Sequence, residues 1–155
     1  MNIHEQRMCE LQGDLFEMSA LRFSCSSAYF ISKFMNSELA KELDEIDDPY
    51  NFVSPNNMAT IMFQLYPSLN AESGQKYPSQ VLRWIGEVYR AFNIIKKKYS
   101  YKIYKVLKAD KLLSLYDSFH TFSLEYSVDR LEEIINESTI QLSDKEIFRQ
   151  IMEAK

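Results

Sequence analysis

The side chains that carry most catalytic and metal-binding chemistry are scarce in this chain and lie far apart in the sequence. There are two histidines and two cysteines, His4, His120, Cys9 and Cys25, and no C-x-x-C or H-E-x-x-H pattern that would bind zinc. A cysteine nucleophile requires a nearby base, but nothing in the sequence brings Cys25 and His120 together. The chain also has no P-loop, G-x-G-x-x-G or G-x-S-x-G motif. We therefore expect no enzymatic activity, no bound metal and no cofactor.

A short acidic segment offers the one arrangement of carboxylates that could bind a cation. Asp44, Glu45, Asp47 and Asp48 supply the oxygen ligands that magnesium prefers. The solvent-facing end of an ordinary helix has the same composition and is far commoner. Pro49 follows directly, and a residue before proline is pushed out of the α region. We therefore interpret this segment as an acidic helix end exposed to water.

The basic residues are concentrated in one stretch that could bind nucleic acid. Seven of the eighteen lysines and arginines lie here: Lys96, Lys97, Lys98, Lys102, Lys105, Lys108 and Lys111. On a helix, a spacing of three residues would align those at 102, 105 and 108 in a row. Three tyrosines are interleaved with them and could stack on bases: Tyr99, Tyr101 and Tyr104. The nucleic-acid hypothesis assigns the contacts to Lys98, Lys102, Lys105 and Lys108.

Two other interpretations of the lysine stretch remain open. We favour a solvated basic face whose tyrosines point into the core, because Tyr104 shares the helical period of Leu107. The third interpretation is a surface for a charge-complementary protein, since the acidic second helix and the basic fifth helix would give the molecule faces of opposite charge.

Two arginines on one predicted helix could bind an anionic group together. Arg83 and Arg90 are seven residues apart and therefore project in similar directions. Paired guanidinium groups can bind a carboxylate or a phosphate in a bidentate manner. Salt bridges to Glu87 or to acidic residues on another helix are the more ordinary alternative. His120, at a predicted helix end, is expected to bond to backbone carbonyls rather than to act as a pH-sensitive ligand.

Both arginines belong to the stretch from Pro78 to Lys98, around which we expect the domain to be organised. Its apolar residues recur at intervals of three and four: Val81, Leu82, Ile85, Val88, Tyr89, Phe92 and Ile95. It begins with Pro78 and Ser79, which suit a helix start, and it contains the only tryptophan, Trp84. A glycine within a helix costs about 1 kcal/mol relative to alanine. We therefore expect Gly86 to allow the close approach of another helix.

Capping residues and apolar periodicity predict the other helices. Their expected starts are the Asn2–Glu5 capping box, Ser26 or Ser27, Ser54-Pro55, Ser100, Asp110 and the Ser143–Glu146 capping box, with one further helix through residues 126–135. Asn36 and Ser37 are expected to interrupt the second helix, because both side chains compete for backbone hydrogen bonds. No sustained alternation predicts a strand. The sequence thus predicts a single compact all-α domain of about seven or eight helices around a central helix that contains Trp84.

Composition agrees with a helical domain and excludes several classes of protein. The chain has 155 residues, 46% of them hydrophobic, with only 3 glycines and 4 prolines. A net charge of −4 gives no general attraction to nucleic acid or to anionic membranes. There is no signal-peptide pattern at the N-terminus and no apolar run of the roughly 20 residues that span a bilayer. We expect a cytoplasmic protein with two reduced cysteines and no membrane association.

Three stretches together resemble an uncharacterised all-helical family of small Firmicutes proteins. They are Phe30–Asp44 (FISKFMNSELAKELD), Trp84–Arg90 (WIGEVYR) and a pattern from Ile103 to Leu131 that includes Ala109, Leu112, Tyr116, Phe119, His120 and Thr121. The resemblance covers about two thirds of the chain. Genes of this family lie near toxin–antitoxin-like genes, including those of ADP-ribosyltransferase-like toxins. Family members have further aromatic residues after the YR, where this chain has Ala91, Asn93 and Ile94.

The resemblance implies a non-catalytic protein that binds and neutralises a toxin, for example by covering a nucleotide-binding cleft. A few aromatic or arginine side chains would then supply most of the affinity. The candidate contacts are Tyr50, Phe52 and Phe63, from the loop-rich middle segment, together with Arg83 and Arg90. The alternatives are a nucleic-acid-binding regulator that uses the Lys96–Lys111 stretch and a homo-oligomeric scaffold.

Overall fold

A computed structural model of the protein describes residues 1–46 and 54–153, and within these ranges the chain forms helices and turns without any strand. The described residues form eight α-helices: α1 Ile3–Arg22, α2 Ser27–Met35, α3 Glu38–Asp44, α4 Pro55–Leu65, α5 Ser79–Lys96, α6 Ser100–Val106, α7 Ala109–Phe119 and α8 Leu124–Glu153. A 3₁₀ turn, Pro67–Asn70, follows α4. The prediction of an all-α protein is confirmed.

Side-chain caps begin α1, α2 and α4 where the sequence predicts them, and α3 also begins at a side-chain cap. Each capping oxygen accepts a hydrogen bond from the backbone amide three residues later, in the order Asn2, Ser26, Ser37 and Ser54. Asn2 and Glu5 form the complete capping box, with both hydrogen bonds 2.8 Å long. The interruption expected at Ser37 is a full break, because its hydroxyl caps α3 as a new helix.

Several later boundaries differ from the prediction. Pro78 is the N-cap of α5, and Ser100 is the first residue of α6 rather than its cap. Helix α7 begins at Ala109, one residue before Asp110. The helix start predicted at Ser143 is wrong, because α8 continues without a break to Glu153. No glycine or proline lies within α8, so nothing in its sequence forces the helix to end at a capping-box pattern.

Helices α1 and α5 pack closely at two glycines. A β-carbon at Gly86 would lie 2.7 Å from the carbonyl oxygen of Gln12 and 3.0 Å from the α-carbon of Gly13. No side chain fits in that space, so the prediction that Gly86 admits a neighbouring helix is confirmed. Helix α5 also contacts α6, α7 and α8.

The core beside this crossing is rich in aromatic rings. Phe16 of α1 meets Phe30 and Phe34 of α2 edge-on, with ring centroids 5.7 and 5.2 Å apart. On the other side of α5, Trp84 is 6% exposed and packs edge-on against Tyr116 of α7, at 5.6 Å. Aromatic packing thus joins α1 to α2 and α5 to α7.

Helix α8 has two parts with different surroundings. Its first part is anchored to the core by Ser127, Val128 and Leu131, which are completely buried. From Asn136 to Glu153, every residue is exposed. We call residues 136–153 the α8 extension; at 1.5 Å per residue it is about 27 Å long.

We predict that Gly86→Ala destabilises the protein even though alanine is the better helix former. The new methyl group would meet the backbone of α1, and overpacking of this kind costs about 1–3 kcal/mol. Urea denaturation of both proteins measures the difference. Gly13→Ala is the comparison variant. Its methyl group would lie 2.8 Å from Glu87 Cγ and 3.1 Å from the carbonyl oxygen of Arg83, so the backbone overlap and the expected loss are smaller than at Gly86. A Gly86→Ala protein as stable as the wild type would show that the helices do not approach so closely.

Candidate functional site

Arg90 and Asp44 form an ion pair that is enclosed between α5 and α3. Both side chains are 1% exposed, and Arg90 Nη1 lies 2.7 Å from Asp44 Oδ1. Arg90 Nε also donates to Gln12 of α1, at 2.7 Å. The Asp44 carboxylate accepts hydrogen bonds from the amide and the hydroxyl of Ser100, at 2.8 and 2.7 Å. The ion pair therefore links α1, α3, α5 and α6.

The enclosure of Arg90 gives this residue a structural role. Burial lowers the pKa of its guanidinium, and the neighbouring Asp44 carboxylate offsets only part of this decrease. Because Arg90 is inaccessible, we replace its predicted role as a partner contact by that of an internal cross-link. For the acidic segment, the interpretation as a helix end exposed to water is wrong at Asp44, whose side chain is buried in the ion pair. The magnesium alternative has no support from Asp44, which is bound as described, or from Glu45, which accepts a hydrogen bond from Tyr99. Asp47 and Asp48 lie outside the described residues.

A cleft of about 550 Å³ lies beside the ion pair, between the start of α1 and the ends of α3 and α5. Its rim carries charges of both signs, with Lys97 and Lys98 facing Glu5 and Glu45. No serine, threonine or cysteine is present in the described lining. The cleft therefore offers neither a dominant charge nor a hydroxyl or thiol nucleophile of the kinds used in acyl transfer.

Arg83 is engaged by three carboxylates on α1 and α5. It contacts Asp14 and Glu17, the latter at 2.6 Å, and it lies 3.7 Å from Glu87. Burial tends to lower the pKa of Arg83, but the hydrogen bonds to Glu17 and Asp14 raise it overall. The salt-bridge alternative from the sequence is confirmed, and Arg83 and Arg90 bind different carboxylates instead of gripping one anion together.

The other predicted contacts have different outcomes. Phe63 lies on α4 with 42% of its surface exposed, as a contact residue requires. Tyr50 and Phe52 lie outside the described residues, so their role stays a prediction.

The cysteines and His120 are placed as structural residues. Both thiols are buried, and neither forms a disulfide. Burial raises the pKa of Cys9 to about 12, although the charge of Arg90 opposes the shift. Burial also raises the pKa of Cys25. His120 stacks on Tyr116, and its Nδ1 lies 2.8 Å from the carbonyl oxygen of that residue. No hydrogen bond joins Cys25 to His120, and no cluster of metal-ligating side chains occurs, in the part of the chain that the structure describes.

The lysine stretch is divided between paired and unpaired residues. Lys96 bonds to Asp129 of α8 at 2.8 Å and lies 3.4 Å from Glu132. The four candidate contacts are exposed and form no ion pair with any described residue: Lys98, Lys102, Lys105 and Lys108. The acidic helix α3 packs directly against α6, so the two charged segments adjoin and do not form separate faces.

The tyrosines of this stretch do not all point into the core. Tyr104 is half-buried against the core, as predicted, with Lys108 Nζ 4.4 Å from its ring centroid. Tyr99 and Tyr101 are 38% and 46% exposed and stack on each other at 6.0 Å. For these two residues the interpretation as core side chains is wrong, because α6 turns them outward.

The α8 extension exposes an apolar face that the sequence analysis does not predict. At 100° per residue, Ile140, Ile147 and Ile151 project within about 40° of one another. Phe148 and Met152 widen this face, and all five side chains are at least 54% exposed. The core-facing residues of α8 point about 150° away. We call these five residues the α8 apolar face.

One carboxylate lies within the α8 apolar face. By the same helical geometry, Asp144 projects between Ile151 and Phe148. It forms no ion pair with any described residue, whereas Arg149, on another side of the helix, pairs with Glu146 at 2.7 Å. An apolar partner surface that covers this face must therefore also supply a donor or a positive charge for Asp144.

We predict that Asp44→Asn lowers the free energy of unfolding by about 3–5 kcal/mol, because it leaves the buried Arg90 without its counter-charge. Urea denaturation measures the loss. Glu17→Gln is the matched control: Glu17 is a half-exposed partner of Arg83, and its loss should cost at most about 1 kcal/mol. Adding Arg90→Met to Asp44→Asn should restore part of the stability. Equal effects of Asp44→Asn and Glu17→Gln would contradict an enclosed ion pair.

Comparison with known proteins assigns neither a family nor a function to the chain. No family model, no curated protein sequence and no solved structure matches the chain. Among the described helices, none combines the length and the apolar character that crossing a membrane requires. The functional conclusion therefore depends on the surfaces described above.

Proposed function

We propose that the protein is a non-catalytic protein-binding module that docks through the α8 apolar face and neutralises a toxin-like partner in the cytoplasm. The observation that carries the proposal is the exposure of five large apolar side chains on one side of the α8 extension. Exposed apolar surface of this kind marks an interaction site. An amphipathic helix that lies in a groove of its partner is a common mode of recognition.

The structure of α8 suits a docking element. An isolated helix of this length is marginally stable in water, because its first turn is costly to form. Here the buried residues Val128 and Leu131 anchor the first part of α8 to the core. The extension therefore continues a helix that is already formed and needs no nucleation of its own. Binding would then require little ordering of the chain, which favours affinity. In this proposal, the rest of the domain, organised around α5 and Trp84, is the scaffold that holds α8.

Charge favours a different protein as the occupant over a second copy of this chain. The extension carries four acidic residues, Glu137, Asp144, Glu146 and Glu153, and two basic ones, Lys145 and Arg149, so its net charge is −2. Two such helices would repel each other, and Asp144 would enter an interface of the same charge. The partner that fits is a protein with an apolar groove and a lysine or arginine placed to meet Asp144.

The toxin-like character of the partner follows from the family resemblance. Neutralisation would result from steric occlusion, with the extension or the adjoining body covering the partner's nucleotide-binding cleft. Phe63, exposed on α4, remains a proposed secondary contact. Tyr50 and Phe52 are proposed with it on sequence grounds alone.

We predict that Ile147→Glu weakens partner binding at least 30-fold, the effect of losing about 2 kcal/mol at a hot spot. A photo-crosslinking residue at position 148 would capture the partner in cells of the native host, and calorimetry with both purified proteins would measure the affinity. Leu142→Glu is the matched control, because Leu142 is 67% exposed on the same extension but lies outside the α8 apolar face. Neither change should alter the melting temperature.

Neutralisation is tested separately by growth. The captured partner should arrest cells when it is expressed alone, and the wild type and Leu142→Glu should rescue them, whereas Ile147→Glu should not. A partner whose toxicity persists with excess wild-type protein would rule out neutralisation. Crosslinks to the same chain only, with a doubled mass in solution, would instead support the homo-oligomeric scaffold.

A further inference from the structure

We propose that Tyr99 and Tyr101, together with the unpaired lysines 98, 102, 105 and 108, form a binding surface for single-stranded nucleic acid. We call these six residues the α6 surface. It consists of different residues from the α8 apolar face and does not depend on the function proposed above. Its support comes from uncompensated charge, exposed aromatic rings and the order in which they lie along the chain.

The charge of this region is unusual in an acidic protein. Between Lys97 and Lys111 there are six lysines and a single carboxylate, Asp110, although the whole chain carries a net charge of −4. Elsewhere the arginines are engaged: Arg7, Arg22, Arg83, Arg90, Arg130 and Arg149 each have an ion-pair or hydrogen-bond partner. Lysines 98, 102, 105 and 108 form no ion pair with any described residue, so their charges are available to an anionic ligand.

Tyr99 and Tyr101 place two partly exposed aromatic rings beside these charges. Their rings are nearly parallel, with an interplanar angle of 22° and centroids 6.0 Å apart. Tyr99 is held by its hydroxyl, which donates to Glu45 at 3.2 Å. Lys102 Nζ lies 5.9 Å from the centroid of the Tyr101 ring. A base that stacks on Tyr101 would therefore have a cation nearby for its phosphate, the combination on which sequence-independent single-strand binding depends.

The surroundings of the tyrosines indicate the direction of the strand. On the side of α3, both rings border a hollow that also contains Glu38, Glu45 and Lys41, so its exposed carboxylates outnumber its one lysine. Phosphates would be repelled there. The strand is therefore expected to run from Lys98 along α6 to Lys105 and Lys108, and away from α3.

The exposed rings favour a single strand over the other polyanions. The bases of a duplex are stacked within the helix, so Tyr101 could not reach their faces. An acidic protein would use the lysines without needing the tyrosines. Because lysines are point charges and stacking tolerates every base, little sequence preference is expected.

Fluorescence anisotropy of a labelled 12-nucleotide oligo(dT), titrated with the full-length protein, tests the proposal. With three or four phosphate contacts, raising the salt from 50 to 200 mM should weaken binding about 20- to 50-fold. The triple variant Lys102→Gln, Lys105→Gln, Lys108→Gln should remove most of the affinity at 50 mM salt. Its matched control is Arg7→Gln, Lys145→Gln, Arg149→Gln, which changes the net charge equally at exposed sites elsewhere and should bind as the wild type does.

A separate variant tests the contribution of the two tyrosines. Tyr101→Ser should weaken oligo(dT) binding about 10-fold through lost stacking. Tyr126→Ser is the control, because Tyr126 is 50% exposed on α8, outside the α6 surface. Circular dichroism establishes that all the variants are folded.

Three outcomes would overturn the proposal. The first is affinity for oligo(dT) that the lysine triple variant leaves unchanged. The second is equally tight binding of a duplex of the same length. The third is polyglutamate that binds as tightly as oligo(dT), with no effect of Tyr101→Ser on either ligand, which would assign the lysines to an acidic protein partner.

Discussion

Where α1 crosses α5, the absence of a side chain at Gly86 lets the two backbones come into contact. That contact brings the side-chain amide of Gln12 within hydrogen-bonding distance of α5. Gln12 Nε2 donates to the Gly86 carbonyl at 3.0 Å, and Gln12 Oε1 accepts a hydrogen bond from Arg90. Arg90 is thereby held toward Asp44, which in turn binds the start of α6 at Ser100. The positions of α3 and α6 thus depend on a missing methyl group that is more than ten residues away from either of them in the sequence.

Internal contacts also give a structural role to several charged groups that are candidates for function in the sequence. Arg90 and Asp44 satisfy each other inside the protein, and Arg83 binds the carboxylates of α1. Lys96 joins α5 to α8 through Asp129. A buried pair of this kind adds little net stability compared with apolar residues, but removing one partner is costly. The lysines of the α6 surface and the apolar residues at the end of α8 make no such internal contacts with the described residues, and the two proposed interactions use them.

The predictable part of the structure is the part determined by neighbours in sequence. The N-caps of α1, α2 and α4 act over three residues, so residue types and spacing are sufficient to find them. The close helix contact at Gly86 could also be predicted, because a glycine within an apolar helical face usually allows another helix to approach. The enclosure of Arg90 could not be predicted, since its counter-ion Asp44 is 46 residues away and nothing local distinguishes this arginine from Arg83. The Ser143–Glu146 pattern misled for the opposite reason: a capping box is equally compatible with a helix interior.

The sequence did contain a signal for the α8 extension, in the direction of its apolar residues. Val128 and Leu131 lie on one side of the helix, whereas Ile140, Ile147 and Ile151 lie about 150° away, so no single core could cover both groups. Two helices separated by a turn could each pack their apolar side on the core, and this is what the sequence predicts. A single helix agrees with this pattern only if its second apolar face is left uncovered, and none of the described residues covers it. Because α8 has no glycine or proline at which to bend, a partner bound to that face would be held in a fixed orientation relative to the body of the protein.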